Sequence, residues 1–179
     1  FALGMLGAGG LIVSSLRSSQ MSGHSSVAIR LARDYGEVMQ LIPATAASTA
    51  TAGTNSFTVD TKVEALASAP TSCLGSAATC GAIAMINFSR HEWAKQVEAA
   101  LPSGRAVVCK DSAPRESSGL YRWACDNSGT MVVVKFGWAA KTGPTGTGDE
   151  ILSATESGVV RPKMVITLFG NQTDFVSTP

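Results

Sequence analysis

Residues 27–42, VAIRLARDYGEVMQLI, decide the fold because their apolar side chains repeat at helical spacing. The repeating residues, separated by four, four, three and four positions, are Val27, Leu31, Tyr35, Val38 and Ile42. This spacing places them on one face of a helix, with the charged side chains between them on other faces. Pro43 disfavours helical conformation in the residue before it, so the helix should end there. We expect the apolar face to pack on a sheet.

The same helix continues towards the N-terminus through a segment that is apolar on all sides. Residues 1–16 carry no charge, and as a helix they would span about 24 Å, less than the ~30 Å of a bilayer core. The segment also contains four glycines, and small residues allow close approach between helices in an apolar environment. The large apolar residues that we assign to membrane or assembly contacts are Phe1, Leu3, Met5, Leu6, Leu11, Ile12 and Val13.

These two patterns predict a helix of about 42 residues, roughly 60 Å long, whose two halves have different functions. We assign residues 1–26 to a membrane anchor that also packs inside an assembly. Residues 27–179 would form a head domain that includes the second half of the helix. An ordinary buried core helix is the alternative interpretation of the N-terminal segment.

The four cysteines indicate two disulfides. Their number is even, and none lies in a CxxC motif or a Cys/His cluster that would indicate a metal site. Three pairings are possible, and the shortest loops favour Cys73–Cys80 and Cys109–Cys125. Disulfides would place the head in an oxidising compartment. Four reduced thiols in a cytosolic core are the alternative.

The remainder of the chain predicts an α+β domain, because a helix is followed by a run of strands. Ser89 and Glu92 have the spacing of a capping box, with Phe88 and Trp93 as a hydrophobic staple, and the short helix should end before Pro102. Four segments rich in Val, Ile and aromatic residues are predicted strands: Arg105–Lys110, Leu120–Cys125, Thr130–Trp138 and Lys163–Phe169.

A turn at residues 126–129 predicts an antiparallel hairpin over Leu120–Trp138. Cys109 and Cys125 would then lie on adjacent strands, in a position to form a cross-strand disulfide. The predicted architecture is therefore a long N-terminal helix packed on an antiparallel sheet, with a short second helix and loops stapled by disulfides.

No reactive constellation is present in the sequence. His24 and His91 are the only histidines and have no ligand-spaced partners, so we expect both on the solvated surface. The motifs GxSxG, HExxH, GxGxxG and the P-loop do not occur. We therefore expect no enzyme activity, no cofactor, no metal and no small-molecule substrate. The net charge of +1 gives no support to attraction of the whole molecule to nucleic acid.

Four stretches resemble the type IV pilins, and among these the minor pilins called type IV pilus modification proteins. Phe1–Gln20 resembles the later part of the family's transmembrane helix, and Ile29–Pro43 its Met- and Pro-bearing end. His91–Pro102 resembles the Trp-bearing second helix, and Val132–Trp138 the central strand. The order and spacing of all four carry the resemblance, whereas Ala44–Thr71 and Ala139–Val160 match nothing in the family.

One feature of the family is absent. Pilins begin, after removal of a leader and methylation of the new amine, with a short segment that ends in a glutamate. Met5 occupies that place in this numbering, and no acidic residue occurs before Asp34. We therefore expect that further residues precede Phe1 and carry both the processing site and the glutamate. A divergent pilin that begins at Phe1 is the alternative.

The resemblance implies a minor pilin that takes part in assembly and priming of a type IV pilus. Such a protein is anchored in the inner membrane with its head in the periplasm, and then enters a pilus that serves adhesion and twitching motility. Its partners would be other minor pilins, the major pilin and a large tip adhesin. Alternatives are a type II secretion pseudopilin, or a membrane-anchored ligand- or DNA-binding module that uses a basic patch of Lys135, Lys141, Arg161 and Lys163.

Overall fold

A computed structural model describes residues 2–41, 57–64, 72–75, 79–128, 131–139 and 161–169. The elements in chain order are helix α1 (Ala2–Leu41), strand β1 (Val59–Asp60), helix α2 (Thr61–Glu64), helix α3 (Ala82–Ala100), strand β2 (Arg105–Lys110), strand β3 (Val132–Gly137) and strand β4 (Met164–Phe169). The strands form one sheet in the order β1-β2-β3-β4, and every pair is antiparallel. The α+β class with an antiparallel sheet is confirmed.

The sheet is buried on both sides at its centre. Strand β3 is buried at all of its positions, so its Val-rich sequence does not alternate with polar residues as a half-exposed strand would. The register pairs Val108 with Val134, and Val107 with Lys135. Paired residues share a side of the sheet, so the strand residues divide into two sets. We call one side the helix face (Ala106, Val108, Val132, Val134, Phe136) and the other the loop face (Val107, Cys109, Val133, Lys135).

Helices α1 and α3 cover the helix face and form the main core. Trp93 of α3 is central to it: its indole Nε1 donates a hydrogen bond to the carbonyl oxygen of Leu31 in α1 at 2.9 Å. Its ring lies 4.4 Å from that of Tyr35 and 6.2 Å from that of Phe136, measured between centroids. The Tyr35 hydroxyl donates to the carbonyl of Phe57 at 2.8 Å. Both polar atoms of these aromatic residues are thus satisfied inside the core. Trp93 is therefore a core residue, 4% exposed.

The loop face is covered by residues 111–128, which connect β2 to β3. Trp123, Cys125 and Met131 pack on Val107, Cys109 and Val133 there. The predicted strand Leu120–Cys125 is therefore wrong: its only described β contact is an isolated bridge between Arg115 and Tyr121. Strand β3 takes β2 as its partner instead, with Lys110 opposite Val132. The aromatic and apolar residues that suggested a strand are those that the loop buries against the sheet.

Helix α3 begins earlier than the capping-box spacing predicts. Its N-cap is Gly81, which has an extended backbone, and the amide of Met85 donates to the carbonyl of Gly81 at 3.0 Å. Ser89 therefore lies inside the helix and does not cap it. Buried Ile86 holds the additional N-terminal turn against the core. The predicted C-terminal end is confirmed, because the helix ends at Ala100 before Leu101 and Pro102.

Neither histidine lies on the solvated surface as predicted. His91 precedes Ala94 by three residues, so it shares the buried side of α3 and is only 8% exposed. His24 is half-buried on α1, and its ring centroid lies 6.4 Å from that of Trp138. The periodicity of the apolar residues alone could not place either side chain, because both lie at the edge of a helix–domain contact.

Candidate functional site

Burial changes along α1, and this change defines the candidate site. Every described side chain from Ile12 to Gly23 is exposed, and Ile12 and Met21 are 62% and 51% exposed. The first buried residue is Ala28. The helix meets the rest of the protein at His24, beside Trp138. At 1.5 Å per residue, the helix from Ala2 to Gly23 is on the order of 30 Å long.

Beyond His24, α1 is part of the core. Leu31 and Tyr35 are 4% and 1% exposed, and Val27 and Val38 are partly buried against the same cluster. These four residues lie in or against the core cluster that also contains the helix face of the sheet, while Ile42 lies outside the described residues.

Sequence reasoning missed three buried apolar side chains on α1. Ala28, Ala32 and Met39 are each 6% exposed or less. The two alanines flank Leu31 at positions three before and one after it, so they broaden the buried stripe of α1. The signal was present in the sequence, since Ala28, Leu31, Tyr35 and Met39 also follow helical spacing.

Most of the assembly residues predicted in the N-terminal segment cannot be placed. Phe1 lies outside the described residues, and so do the side chains of Leu3, Met5, Leu6, Leu11 and Val13. Ile12 is described and lies exposed on the helix. Within the described ranges, no helix combines the length and the apolarity that crossing a membrane requires.

Both predicted disulfides are formed. Cys73 is bonded to Cys80, with 5.7 Å between their Cα atoms, and Cys109 to Cys125, with 6.3 Å. The second bond does not join two strands as expected, because Cys125 lies in the loop over the loop face. It therefore attaches the loop to the end of β2. The first bond closes a short turn directly before α3.

A buried ion pair attaches the same loop to the middle of β3. The Lys135 ammonium donates to Asp111 Oδ2 at 2.5 Å and to the Ala124 carbonyl at 2.7 Å, and both charged side chains are fully buried. Arg122 Nη2 approaches Asp111 Oδ1 at 3.6 Å. Burial lowers the pKa of Lys135, and the hydrogen bond to Asp111 opposes that effect. The pair is a structural contact, since all its partners belong to the loop and the sheet beneath it.

The basic patch required for a DNA-binding module does not form in the part of the chain that the structure describes. Lys135 is inside the protein, and Arg161 Nη1 pairs with Glu116 at 2.8 Å. The Lys163 ammonium lies 4.9 Å from the centroid of the Trp138 ring, and burial lowers its pKa. Lys141 lies outside the described residues. Within the same ranges, no three His, Cys, Asp or Glu side chains group in a way that could hold a metal ion.

No protein-family model, curated protein or solved structure matches this chain. The fold and the candidate site are therefore known from their geometry alone. That geometry consists of an α+β domain, attached to one helix whose N-terminal half has no described contact with it.

Proposed function

We propose that this protein is a minor pilin, a filament subunit of a type IV pilus similar to the type IV pilus modification protein PilV. One observation carries the proposal: the described side chains of α1 between Ile12 and Gly23 are exposed, whereas one side of the helix is buried from Ala28 onward. Such a helix separates its head domain from the membrane or partner that its N-terminal half contacts. The sequence resemblance supplies the identity of that contact.

The physical basis of the proposal is the transfer of an apolar helix between two environments. Residues 1–16 have no charge, so exposing them to water costs free energy roughly in proportion to their apolar area. The membrane shields these residues from water before assembly, and the bundled helices of neighbouring pilins shield them in the filament. Glycines at positions 4, 7, 9 and 10 allow the close helix contacts that such a bundle needs.

The proposal places the protein first in the inner membrane, with its head in the periplasm, and later in the surface pilus. Two disulfides agree with an oxidising compartment. The partners are other minor pilins in a tip or priming complex, the major pilin, and a large tip adhesin.

Complementation of a deletion strain tests the proposal. Removal of residues 1–22 should leave a folded head with both disulfides, because Ala28 is the first buried residue among the described side chains. The same variant should be absent from sheared pili, and pilus-dependent motility should be lost. Leu6→Lys should reproduce the loss, since a lysine at the centre of a membrane span costs about 2.5–3.5 kcal/mol on insertion scales.

The matched control is Ser117→Lys, which adds the same charge at an exposed position of the loop. This variant should enter pili at the level of the wild type. The proposal is wrong if Leu6→Lys or the truncation still enters sheared filaments at that level. Loss of type II secretion with intact surface pili would instead assign the protein to the pseudopilins.

A further inference from the structure

Three side chains that can donate hydrogen bonds meet where α1 joins the sheet. Trp138 directly follows β3 and is 3% exposed. Lys163 directly precedes β4, and its ammonium lies 4.9 Å from the centroid of the Trp138 ring. The ring centroid of His24 on α1 lies 6.4 Å from that of Trp138. We call this group the donor cluster (His24, Trp138 and Lys163).

Backbone hydrogen bonds hold the two strand ends that carry the donor cluster. The amide of Lys163 donates to the carbonyl of Phe136 at 2.7 Å, which fixes the start of β4 beside the end of β3. The amide of Ala139, the residue after Trp138, donates to the carbonyl of Pro102 at 2.7 Å. The positions of Trp138 and Lys163 are therefore set by the sheet and its flanking segments.

Two donor atoms of the cluster are buried without an acceptor. Trp138 Nε1 and Lys163 Nζ have no hydrogen-bond partner among the described residues. The indole of Trp93 differs, because it donates to the Leu31 carbonyl. A ring face attracts an ammonium ion, but it does not replace the oxygen acceptors that the three N–H groups of a lysine need. Buried donors are normally paired, so two unpaired donors at one ring indicate a place for an acceptor.

The two buried lysines of the sheet show what Lys163 lacks. Burial lowers the pKa of both, but at Lys135 the hydrogen bond to Asp111 opposes that effect. Lys163 has no such carboxylate partner among the described residues. The segments that carry the cluster contain no Asp or Glu at all: residues 12–33, 131–139 and 161–169. A lysine is rarely buried without a partner, so the acceptor at Lys163 should be an anion.

We propose that the donor cluster binds a phosphate group. A phosphate offers several oxygens, so one group can accept from the ammonium of Lys163, from the indole of Trp138 and from the imidazole of His24. His24 is half-buried, so this side of the cluster is open to solvent. Free inorganic phosphate and the phosphate of a lipid headgroup share this chemistry. The inference goes beyond the proposed function and does not depend on it.

Titration of the purified chain with inorganic phosphate, in an uncharged detergent that contains no phosphate, tests the site. In nuclear magnetic resonance spectra of isotope-labelled protein, the indole N–H signal of Trp138 should shift until it saturates. Trp138→Phe identifies this signal. The indole signal of Trp93 is the internal control and should stay in place, because its N–H is already bonded to Leu31. Sodium chloride at equal ionic strength should leave the Trp138 signal unshifted, since it provides screening without an oxyanion.

A substitution at Lys163 tests the charge. Lys163→Met should weaken phosphate binding at least about tenfold, because it removes the charge-assisted hydrogen bond. Lys95→Met, at an exposed lysine of α3, is the matched control and should bind as the wild type does. Phosphate should raise the melting temperature of the wild type and of Lys95→Met, but not that of Lys163→Met. Without phosphate, Lys163→Met should melt no lower than the wild type, since it replaces an unpaired buried charge by an apolar group.

Reconstitution in lipid nanodiscs separates the two sources of phosphate. One set contains phosphatidylglycerol, and the other contains a glycolipid without phosphate. If inorganic phosphate shifts the Trp138 signal only in the glycolipid discs, the headgroup already occupies the site and the natural ligand is a lipid. If it shifts the signal equally in both sets, the site binds free phosphate.

Four outcomes would overturn the inference. The first is a Trp138 signal that phosphate does not move in detergent or in either set of nanodiscs. The second is an equal shift with sodium chloride, since that indicates a general effect of salt. The third is unchanged phosphate binding by Lys163→Met. The fourth is a clearly lower melting temperature of Lys163→Met without phosphate, because the Trp138 ring would then satisfy the ammonium by itself.

Discussion

The two faces of the sheet are covered in different ways, although both faces belong to the same strands. The helix face packs on two helices through a large, almost wholly apolar cluster that includes Trp93, Tyr35 and Phe136. The loop face has three buried strand residues in its apolar cluster, and a loop without helix or strand covers it. That loop is attached by a disulfide and by the Lys135–Asp111 pair.

This difference follows from the geometry of the covering segments. A helix satisfies its own backbone hydrogen bonds, so it can cover a sheet with side chains alone. A loop cannot, and its carbonyls need donors from elsewhere; here the Lys135 ammonium supplies one to Ala124. The helix face should therefore depend on apolar burial, and the loop face on charge pairing and oxidation.

The largest effect is expected on the helix face. Leu31→Ala should lower the free energy of unfolding by about 2–5 kcal/mol, because Leu31 is 4% exposed. Leu31→Asp should cost more, since it also buries a charge. Ile12→Asp, on the exposed part of the same helix, is the control and should leave the melting temperature unchanged. A melting temperature unaffected by Leu31→Asp would show that this side of α1 does not belong to the core.

The second effect tests the charge pair of the loop face. Lys135→Met leaves Asp111 buried with only Arg122 nearby, so unfolding free energy should fall by about 3–5 kcal/mol. The double variant Lys135→Met/Asp111→Leu should recover most of the loss, because a buried ion pair replaced by apolar residues is often neutral. Denaturant unfolding measures both. Equal losses of unfolding free energy in the single and double variants would mean that the unpaired charge of Asp111 is not the cause of the destabilisation.

The third effect compares the disulfides. Replacing Cys109 and Cys125 by alanine should cost about 3 kcal/mol by the chain-entropy estimate, since their sequence separation is 16. Replacing Cys73 and Cys80, separated by seven residues, should cost about 2 kcal/mol. Hydrogen exchange should show that the first change exposes the amides of residues 111–128 and spares α1. If the amides of α1 exchanged as fast as those of residues 111–128, the disulfide would not act on the loop face alone.

The smallest effect concerns the outer surface of the loop. A hydrogen bond from Arg161 lowers the pKa of Glu116 below its ordinary value of 4.5. A carboxylate whose pKa is lower in the folded state stabilises the protein above the unfolded value, and that contribution disappears as the pH falls through the folded value. Glu116→Gln should therefore reduce the loss of stability below about pH 4.5. Identical acid curves for Glu116→Gln and wild type would rule out this contribution.

The sequence predicted elements well where one physical signal acts alone. The long helix and its apolar face follow from periodicity, because a side chain on a helix repeats at a fixed interval. Strand β2 follows from its content of β-branched residues. Cysteine spacing predicted both disulfides, since closing a short loop costs little entropy. The strand predicted at Leu120–Cys125 is wrong, because a loop that covers a sheet also carries apolar and aromatic residues. Ala28 and Ala32 were missed because small residues contribute little to an apolar pattern.

The sequence by itself determined that one helix has an uncharged first half and a one-sided second half, and that the domain is α+β with two disulfides. Only the tertiary structure decided which side of the sheet each segment covers, that Lys135 lies inside with Asp111, and that Trp93 donates a hydrogen bond to Leu31. The physical reason is the distance along the chain over which each signal acts. Periodicity and loop length act between residues close in the chain, whereas register, burial and the relative direction of helices depend on contacts between residues far apart in sequence.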